Sequence, residues 1–400
     1  MQGIRAGDLV AASLPPGPAW LALLREAWEA GAAVLPMDHR LPRAASERIL
    51  DAARPTLLVP QSGEPVRRIE GVDIDAGLAL VMATSGTTGE PKLVELTHDA
   101  LRAAVSASAQ RLSATADDPW LACLPVSHIG GMLVMLRGLL LGAPLVVHRE
   151  FDVTAFGDAV TEGVRFASVV PTMLGRLLQG GVDLSSLRAI LVGGSAMTQD
   201  GGATPVVTTY GMTETCGGVV YDGIPLDGVE VRIGDEDRIE MNGPTLFRGY
   251  RLSDDSPRTD DGWFATGDAG AIEAGRLHVL GRLDDLIITG GHKVWPTEVE
   301  SVLRRDVSVA EVRVSGIPDA EWGNRVVAFV VPADPAAPPT LSRLRDLVAD
   351  HLARYKAPRK LVLVESPGRI KGLGRDERLS SAARVDEPDT SPGRSEPGGE

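Results

Sequence analysis

Hydrophobic positions in the first 80 residues recur at helical spacing and are followed by short apolar runs. The stretch AWLALLREAWEAG places its apolar side chains on one helical face and ends at Gly31, and the run AAVLPM after it predicts a buried strand. RAASERILDAARPTLLVP repeats this order of helix and strand. Such alternation predicts an α/β fold with parallel sheets and crossover helices.

The same alternation continues to about residue 219. GLALVMATSG predicts a strand that runs into a glycine-rich loop, and HDALRAAVSASAQRL predicts a helix after that loop. Further strand and helix units follow, from PWLACLPV to PVVTTYG. Beyond them, short strands with turn signals, such as GVEVRIGDEDRIEMNG and DGWFATGD, predict hairpins that suit a small barrel.

A domain junction is predicted at GRLDDLIITGG, after which short helices and strands alternate again. The expected organisation is a large N-terminal domain of layered sheets and helices plus the small barrel, residues 1–282, and a small C-terminal α+β domain, residues 283–380. The segment RVDEPDTSPGRSEPGGE is charged, rich in Pro, Gly and Ser, and free of aromatic residues. We therefore predict a disordered tail at 381–400.

Composition and net charge limit the kinds of partner that the protein is expected to bind. The chain is 44% hydrophobic and 24% charged, as is normal for a soluble enzyme, and its net charge of −14 gives no general attraction to nucleic acid or anionic membranes. Cys123 and Cys216 are too few for a disulfide framework or a metal cluster, so we expect neutral thiols in a reducing compartment. The start of the chain has no signal-peptide pattern, and no run reaches the roughly 18 apolar residues of a membrane span. A cytoplasmic protein is expected.

The glycine-rich loop is suited to a phosphate. It lacks the Walker A order, but glycines let backbone N–H groups converge on an anion, hydroxyls add neutral donors, and a lysine adds a mobile positive charge. A helix from about Thr97 starts too far along to dominate. A flexible surface loop is the alternative. The candidate residues are Thr84, Ser85, Gly86, Thr87, Thr88, Gly89 and Lys92.

Six ordered motifs resemble those of the adenylate-forming superfamily, which contains acyl-CoA synthetases, adenylation domains and luciferases. They are SGTTGEPK (85–92, signature loop), LPVSHIGG (124–131, acyl pocket), LVGGS (191–195, adenine side), YGMTET (210–215, nucleotide and magnesium), WFATGD (263–268, ribose) and GRLDDLIITGGHKVWPTEVE (281–300, interdomain). The resemblance covers essentially the whole chain except the tail. It implies an enzyme that uses ATP and Mg²⁺ to adenylate a carboxylic acid.

This resemblance implies roles in a nucleotide site. Thr213 would contact the α-phosphate, and Glu214 would hold Mg²⁺, an ion that prefers hard oxygen ligands. Asp268 would accept hydrogen bonds from both ribose hydroxyls, because a carboxylate has two acceptor oxygens, and Arg282 would contact ribose or phosphate. The adenine-side residues would be Gly193, Gly194, Ser195, Tyr210 and Gly211.

The superfamily rotates its small domain between a conformation that forms the acyl-adenylate and one that forms the thioester. Asp284 occupies the hinge position, where a few residues absorb the change in backbone angles. Gly290 and Gly291 belong to the loop presented to coenzyme A, the co-substrate. Members are often dimers, so a homodimer is one expectation, although the sequence carries no interface signal.

The acyl pocket is expected around LPVSHIGG, where His128 would line the pocket and Gly130 and Gly131 would leave room for the acyl group. Arg137 is the only charge in the apolar run after it, and a buried arginine needs an anionic partner. The nearest resemblance is to the o-succinylbenzoate–CoA ligase family of menaquinone biosynthesis, carried by TTYGMTETCGGVVYDGIPLDGVEVRIG and TGGHKVWPTEVE. There an arginine at this spacing serves the substrate's second carboxylate. An arginine that snorkels from a surface helix is the alternative.

The chain departs from the superfamily near its end. In ESPGRIKGLGRDERLSS, Arg375 aligns with the expected catalytic lysine, and Lys371 lies four positions earlier. Only 15 residues separate Gly194 from Tyr210, so the adenine side is shortened. Two alternatives to this acid–CoA ligase therefore stay open: an enzyme that adenylates another carboxylic acid or loads a carrier protein, and a degenerate paralogue that binds nucleotide without turnover.

Overall fold

The computed structural model describes residues 3–62, 64–85, 90–193, 205–365 and 384–385. The chain forms two compact units. Unit 1 contains residues 1–234, 239–266 and 272–278, and unit 2 contains 235–238, 267–271 and 279–400. The last segment of unit 2 begins close to the junction that the sequence predicts after residue 282. None of the helices in these ranges combines the length and the apolar character needed to cross a bilayer.

Strands and helices alternate through the first half of the chain. They are β1 (Leu9–Ala12), α1 (Pro18–Glu29), β2 (Ala33–Pro36), α2 (Arg43–Ala53), β3 (Leu57–Val59), β4 (Val66–Arg67), β5 (Leu78–Ser85), β6 (Pro91–Thr97), α3 (His98–Leu112), β7 (Trp120–Ala122), α4 (Ile129–Leu141), β8 (Leu145–Val147), α5 (Val153–Thr161), β9 (Phe166–Val169), α6 (Pro171–Gln179) and β10 (Ala189–Gly193).

Strands dominate the second half until the C-terminal helices. They are β11 (Val206–Met212), β12 (Gly217–Tyr221), β13 (Ile224–Pro225), β14 (Glu230–Ile233), β15 (Arg238–Asn242), β16 (Gly249–Tyr250), β17 (Phe264–Glu273), β18 (Arg276–Arg282), β19 (Ile287–Thr289), β20 (His292–Val294), α7 (Pro296–Leu303), β21 (Val309–Asp319), β22 (Gly323–Pro332), α8 (Leu341–His351), β23 (Lys360–Leu363) and β24 (Arg384–Val385).

Two seven-stranded sheets form the frame of unit 1. The first has the order β16-β6-β5-β2-β1-β3-β4, and its strands β5, β2, β1 and β3 run parallel. The second has the order β13-β12-β11-β10-β9-β7-β8, parallel from β11 to β8. The parallel strands are joined by crossover helices, as the alternating sequence pattern predicts.

Five layers build unit 1. Successive strand residues face opposite sides of a sheet, and helices cover both sides of each sheet. Each sheet therefore buries both of its faces. Helices α1, α3 and α4 share one core with both sheets, through Trp20, Leu101 and Met132. Helix α2 covers the other face of the first sheet, and α5 and α6 cover the other face of the second, through Phe156 and Leu174.

Two smaller sheets complete the fold. Strands β14, β15, β17 and β18 form a four-stranded sheet in that order, where the sequence predicts a small barrel. A six-stranded sheet has the order β20-β19-β22-β23-β24, with β21 also paired to β22. Helices α7 and α8 pack Val299 and Leu344 on one face of this sheet, against Val326 and Ala328. This is the α+β arrangement that the sequence predicts for the C-terminal domain.

Three segments differ from the sequence prediction. Strand β6 lies between the glycine-rich loop and α3, so the loop connects an antiparallel hairpin instead of leading into a helix. Helix α5 is not predicted at all. Within the segment predicted to be disordered, Arg384 and Val385 form a strand paired with β23.

The first turn of α4 packs against the loop before it at Gly131. A Cβ atom on Gly131 would lie 2.3 Å from the carbonyl oxygen of Pro125, so the loop itself fills this space. The prediction that Gly131 leaves room for an acyl group is therefore wrong. Gly130 differs, because a Cβ atom there would meet Leu124 Cδ1 at an ordinary 3.6 Å.

Gly131→Ala is expected to lower the free energy of unfolding by about 1–3 kcal/mol, because the Pro125 carbonyl must move to admit a methyl group. Gly130→Ala is the matched control in the same turn. Its change should stay within about 1 kcal/mol, since alanine is a better helix former. Urea denaturation measures both, and equal stability of the two variants would contradict the close packing at Gly131.

Candidate functional site

Three predicted motifs follow parallel strands of the second sheet. The LPVSH segment comes after β7, Gly193 ends β10, and Tyr210 lies on β11. Because these strands run parallel through β9, their carboxyl ends meet at one edge of the sheet. Ligands of open α/β sheets bind at this edge. The fold of unit 1 therefore gathers motifs that lie far apart in the sequence.

A short 3₁₀ turn, Thr213–Thr215, joins β11 to β12 and carries Glu214. The side chain of Thr215 is completely buried and fixes this turn. Its Oγ1 accepts a hydrogen bond from the Met212 N–H at 2.9 Å and lies 2.8 Å from the carbonyl oxygen of Gly217. Thr215 belongs to the YGMTET motif but was given no role from the sequence, because only the folded turn reveals its bonds.

The adenine-side candidates lie on neighbouring strands. Tyr210 is half-buried, at the point where the register between β11 and β12 shifts. A Cβ atom on Gly211 would lie 2.0 Å from the carbonyl oxygen of Gly217, so the two backbones approach closely here. Gly193 is the register partner of Thr209. Two further candidates, Gly194 and Ser195, lie outside the described residues.

Tyr250 connects two of the predicted site residues, Glu214 and Lys92. Its hydroxyl donates a hydrogen bond to Glu214 Oε1 at 2.9 Å, and the Lys92 Nζ lies 4.9 Å from the centre of its ring. Burial, followed by the charge of Glu214, raises the pKa of Tyr250, so the phenol keeps its proton. Asp255 is also close, with Oδ2 3.6 Å from the Lys92 Nζ. The sequence suggests only a short strand at Tyr250.

The glycine-rich loop is anchored at both ends by paired strands. Thr84 of β5 and Lys92 of β6 are register partners, and Thr84 Oγ1 donates to the Lys92 carbonyl oxygen at 3.4 Å. Ser85 is the last residue of β5. Four of the five positions between the strands, Gly86, Thr87, Thr88 and Gly89, lie outside the described residues.

Unit 2 contains the ribose and hinge candidates. Asp268 lies on β17 and is buried, and its Oδ1 is 3.4 Å from the Nε of Arg282 at the end of β18. The 3₁₀ turn Leu283–Asp285 follows directly and exposes Asp284 to solvent. The contact between Asp268 and Arg282 joins two residues that the sequence assigned to nucleotide binding.

The two acyl-pocket candidates on α4 have opposite surroundings. His128 precedes the helix and is exposed, whereas Arg137 is buried with 2% exposure. His128 is the N-cap of α4 and has an extended backbone, so its side chain leaves the chain before the first turn, whereas Arg137 lies within the helix. The burial of Arg137 excludes the alternative of a snorkelling surface arginine.

The guanidinium of Arg137 is enclosed by polar and aromatic groups. Nη2 donates to Ser108 Oγ at 2.9 Å, Ser108 Oγ lies 2.8 Å from the hydroxyl of Tyr221, and the guanidinium carbon is 4.1 Å from the centre of the Trp120 ring. Burial lowers the pKa of Arg137, and Tyr221 opposes that shift. Nε of Arg137 and Nε1 of Trp120 have no hydrogen-bond partner in the part of the chain that the structure describes.

The loop predicted to face coenzyme A is a two-residue hairpin turn in unit 2. Gly290 and Gly291 connect β19 to β20 with φ angles of 54° and 80°, which glycine adopts readily in such turns. The Gly290 N–H donates to the carbonyl oxygen of Trp322 at 2.9 Å. Arg359 lies 3.7 Å from the centre of the Trp322 ring. Trp322 and Arg359, which the sequence did not single out, therefore flank this loop.

The last candidate groups are the two C-terminal cations, the shortened adenine side, possible metal ligands and the two thiols. Lys371 and Arg375 lie outside the described residues, as does 194–204, most of the shortened adenine side. Within the ranges that are described, no group of three or more His, Cys, Asp or Glu side chains could hold a metal ion. Burial raises the pKa of the Cys123 thiol to about 12 and that of Cys216 still further, so both are neutral.

Comparison with known proteins identifies two family domains. Residues 72–251 match the model of the AMP-binding enzymes, and residues 298–369 match the AMP-binding enzyme C-terminal domain. A probable 2-succinylbenzoate–CoA ligase of Mycobacterium tuberculosis is 40% identical, over 85% of this chain and 94% of the relative. The 2-succinylbenzoate–CoA ligase of Bacillus pumilus is 38% identical, over 82% and 74%.

A solved structure has the same fold. The o-succinylbenzoate CoA synthetase (MenE) of Bacillus subtilis in complex with the acyl-adenylate intermediate OSB-AMP has a TM-score of 0.81 at 28% identity, over 96% of this chain and 90% of that one. The same synthetase in complex with ATP and a magnesium ion has a TM-score of 0.79 at 28% identity, over 90% and 86%. The layered α/β fold predicted from the sequence is confirmed.

Thr215→Val is expected to destabilise the protein by about 1–3 kcal/mol, because the partly buried N–H of Met212 loses its acceptor. Thr215→Ser keeps the hydroxyl and loses one methyl group, so its cost should be about 1 kcal/mol. Urea denaturation of both variants measures the difference. A loss for Thr215→Val no larger than that for Thr215→Ser would show that the hydroxyl holds the turn no more than the methyl group does.

Proposed function

The chain belongs to the family of AMP-binding enzymes, and we propose that it joins o-succinylbenzoate, also called 2-succinylbenzoate, to coenzyme A at the expense of ATP in menaquinone biosynthesis. The reaction has two steps. The succinyl carboxylate attacks the α-phosphorus of ATP, and pyrophosphate leaves. The sulfur of coenzyme A then attacks the acyl carbon of the adenylate, and AMP leaves.

Glu214 is the proposed magnesium ligand. Its carboxylate is half-buried, and the bond from Tyr250 uses one oxygen, which leaves the other for a metal. A single carboxylate suits Mg²⁺, because this ion usually takes its other ligands from phosphates and water. When bound, Mg²⁺ would neutralise charge on the phosphates. Positioning and charge neutralisation should carry most of the first step.

Other residues are proposed to bind the nucleotide. Thr213 contacts the α-phosphate, Asp268 takes the ribose hydroxyls with Arg282 nearby, and Lys92 lies near the leaving phosphates. The loop Thr84–Gly89 is proposed to offer backbone N–H groups and hydroxyls to the phosphates. The proposed adenine contacts are Gly193, Gly194, Ser195, Tyr210 and Gly211. Lys371 or Arg375 is proposed to neutralise the negative charge that develops in the first step.

The choice of acid depends on Arg137. Its charge is buried against Ser108 and Trp120, and among the described residues its Nε has no partner. A buried arginine is stable only with suitable anionic or hydrogen-bonding partners. The ring carboxylate of o-succinylbenzoate is the proposed partner. His128 and Gly130 are proposed to lie on the acyl side near the start of α4.

The thioester step is assigned to unit 2. Gly290 and Gly291 are proposed to face the coenzyme A arm, with Trp322 and Arg359 beside them, and Asp284 is the proposed hinge between the two steps. A cytoplasmic location and a homodimer belong to the same proposal.

An assay with ATP, Mg²⁺, coenzyme A and a panel of acids should detect AMP and a thioester with o-succinylbenzoate. Adenylate without thioester would favour loading of a carrier protein. No AMP with any acid would contradict the proposal and favour the degenerate paralogue, for which the altered C-terminal lysine is the motivation.

Arg137→Met should raise the KM for o-succinylbenzoate by about 10-fold to 100-fold, because a charged hydrogen bond to the ring carboxylate is lost. The matched substrate is 3-benzoylpropionate, which keeps the reacting carboxylate and lacks the ring carboxylate, so its KM should change little. The melting temperature should stay the same or rise, since a buried charge is replaced by an apolar side chain.

Arg188→Met is the control variant, because Arg188 also lies over an aromatic ring, that of Phe166, but pairs with Asp118. Its KM for either acid should not change. Equal KM increases for the two acids in Arg137→Met would remove the case for a carboxylate contact.

A further inference from the structure

Tyr250 lies at the meeting point of three segments of unit 1. Strand β16 pairs with β6, with Tyr250 opposite Val94, two residues after Lys92. The hydroxyl of Tyr250 reaches Glu214 on the turn after β11. One side chain thus contacts a carboxylate through its hydroxyl and an ammonium group through its ring face.

The position of Tyr250 is held from two directions. The Phe247 N–H donates to the carbonyl oxygen of Glu214 at 2.8 Å, so the segment before Tyr250 is bonded to the same turn as its hydroxyl. The Phe247 ring is buried and lies 5.1 Å from the Tyr250 ring, centre to centre. The backbone bond and the ring contact of Phe247 therefore hold Tyr250 in place in addition to its own contacts with Glu214 and Lys92.

The two contacts have different chemical consequences. A hydrogen bond to Oε1 restrains the rotation of the Glu214 carboxylate and leaves Oε2 for a further ligand. A ring face attracts the Lys92 ammonium group without neutralising it, because the ring carries no net charge. The ion pair of Lys92 with Asp255 is exposed on both sides, and such pairs are weak in water.

We propose that Tyr250 is a positioning residue that holds Glu214 and Lys92 ready for a metal–triphosphate. The inference rests on the proposed function, since it takes Glu214 as the magnesium ligand and Lys92 as a phosphate contact. Tyr250 touches neither metal nor phosphate and acts through these two side chains. Groups that orient a metal ligand commonly change metal affinity by about 10-fold to 100-fold when they are removed.

The test measures ATP binding by calorimetry in Mg²⁺ and in EDTA, and takes the ratio of the two dissociation constants. Tyr250→Phe removes only the hydroxyl, so the ratio of the ATP dissociation constant in EDTA to that in Mg²⁺ should fall about 10-fold or more. The dissociation constant in EDTA should not change. Tyr250→Leu also removes the ring face, so it should weaken binding in EDTA as well.

Two further variants separate the contacts. In Glu214→Gln, adding Tyr250→Phe should have no further effect on the ratio, because the two residues act as one unit. In the Lys92→Met background, Tyr250→Phe and Tyr250→Leu should bind ATP in EDTA with the same dissociation constant, because the ring face has no ammonium group left to hold. Additive effects in either background would overturn the inference, as would a Tyr250→Phe ratio within twofold of the wild-type ratio.

Melting temperatures taken in parallel keep a folding defect distinct from lost positioning. A packing role alone predicts a lower melting temperature with an unchanged ratio, which also contradicts the inference. If wild-type protein binds Mg²⁺ and ATP together but adenylates no acid, the proposed function fails. The Tyr250 variants still show whether Tyr250 positions Glu214 and Lys92. If the wild-type ratio is one, the Glu214 assignment and the inference fail together.

Discussion

The buried hydroxyl of Thr215 holds the turn that carries Glu214, a residue predicted to serve the nucleotide site. It bonds the backbone on both sides of the turn, and the adjacent Glu214 carbonyl accepts a bond from Phe247. Phe247 leads to Tyr250 on β16, which pairs with the strand that leaves the glycine-rich loop. One turn is thereby linked through backbone bonds to the loop expected to bind phosphate.

Much of this architecture could be predicted from the sequence, because the spacing of hydrophobic residues and the glycines that end helices and strands are local signals. Strand β6 was missed for a tertiary reason. Its centre holds Glu95, which interrupts the apolar pattern and is buried only because Arg248 and Arg251 lie 3.3 Å and 3.6 Å from its carboxylate. Helix α5 carried a readable signal, since Asp152 caps it by accepting from the Ala155 N–H at 2.8 Å.

The site was predicted unevenly for the same reason. Motif residues such as Glu214 and Asp268 were predicted as site residues because their neighbours in sequence resemble a known pattern. Tyr250 was not, since the bond to Glu214 spans 36 residues and depends on the pairing of β16 with β6. His128 and Arg137 were both predicted at the acyl pocket, and the structure gives them different surroundings, since His128 is the exposed N-cap of α4 and Arg137 lies within the helix. Only Arg137 is buried deeply enough for its charge to require a partner.

Aromatic residues are only 4% of the chain, yet cations lie over aromatic rings at three predicted subsites. Lys92 lies over Tyr250, Arg137 over Trp120 and Arg359 over Trp322. Ring faces place a cation at modest gain, about 0.5–2 kcal/mol, and leave its charge available for an anionic ligand.

Arg232 shows the opposite arrangement outside the predicted site. It also lies over a ring, that of Trp263, but Asp261 and Glu240 bond its guanidinium and raise its pKa. Two carboxylates satisfy that charge within the protein, so it has little left to offer a ligand. In a chain with a net charge of −14, the cations that carboxylates satisfy least are the better candidates to bind anionic ligands, and the carboxylate contacts of Lys92 and Arg282, at 3.6 Å and 3.4 Å, are longer than those of Arg232.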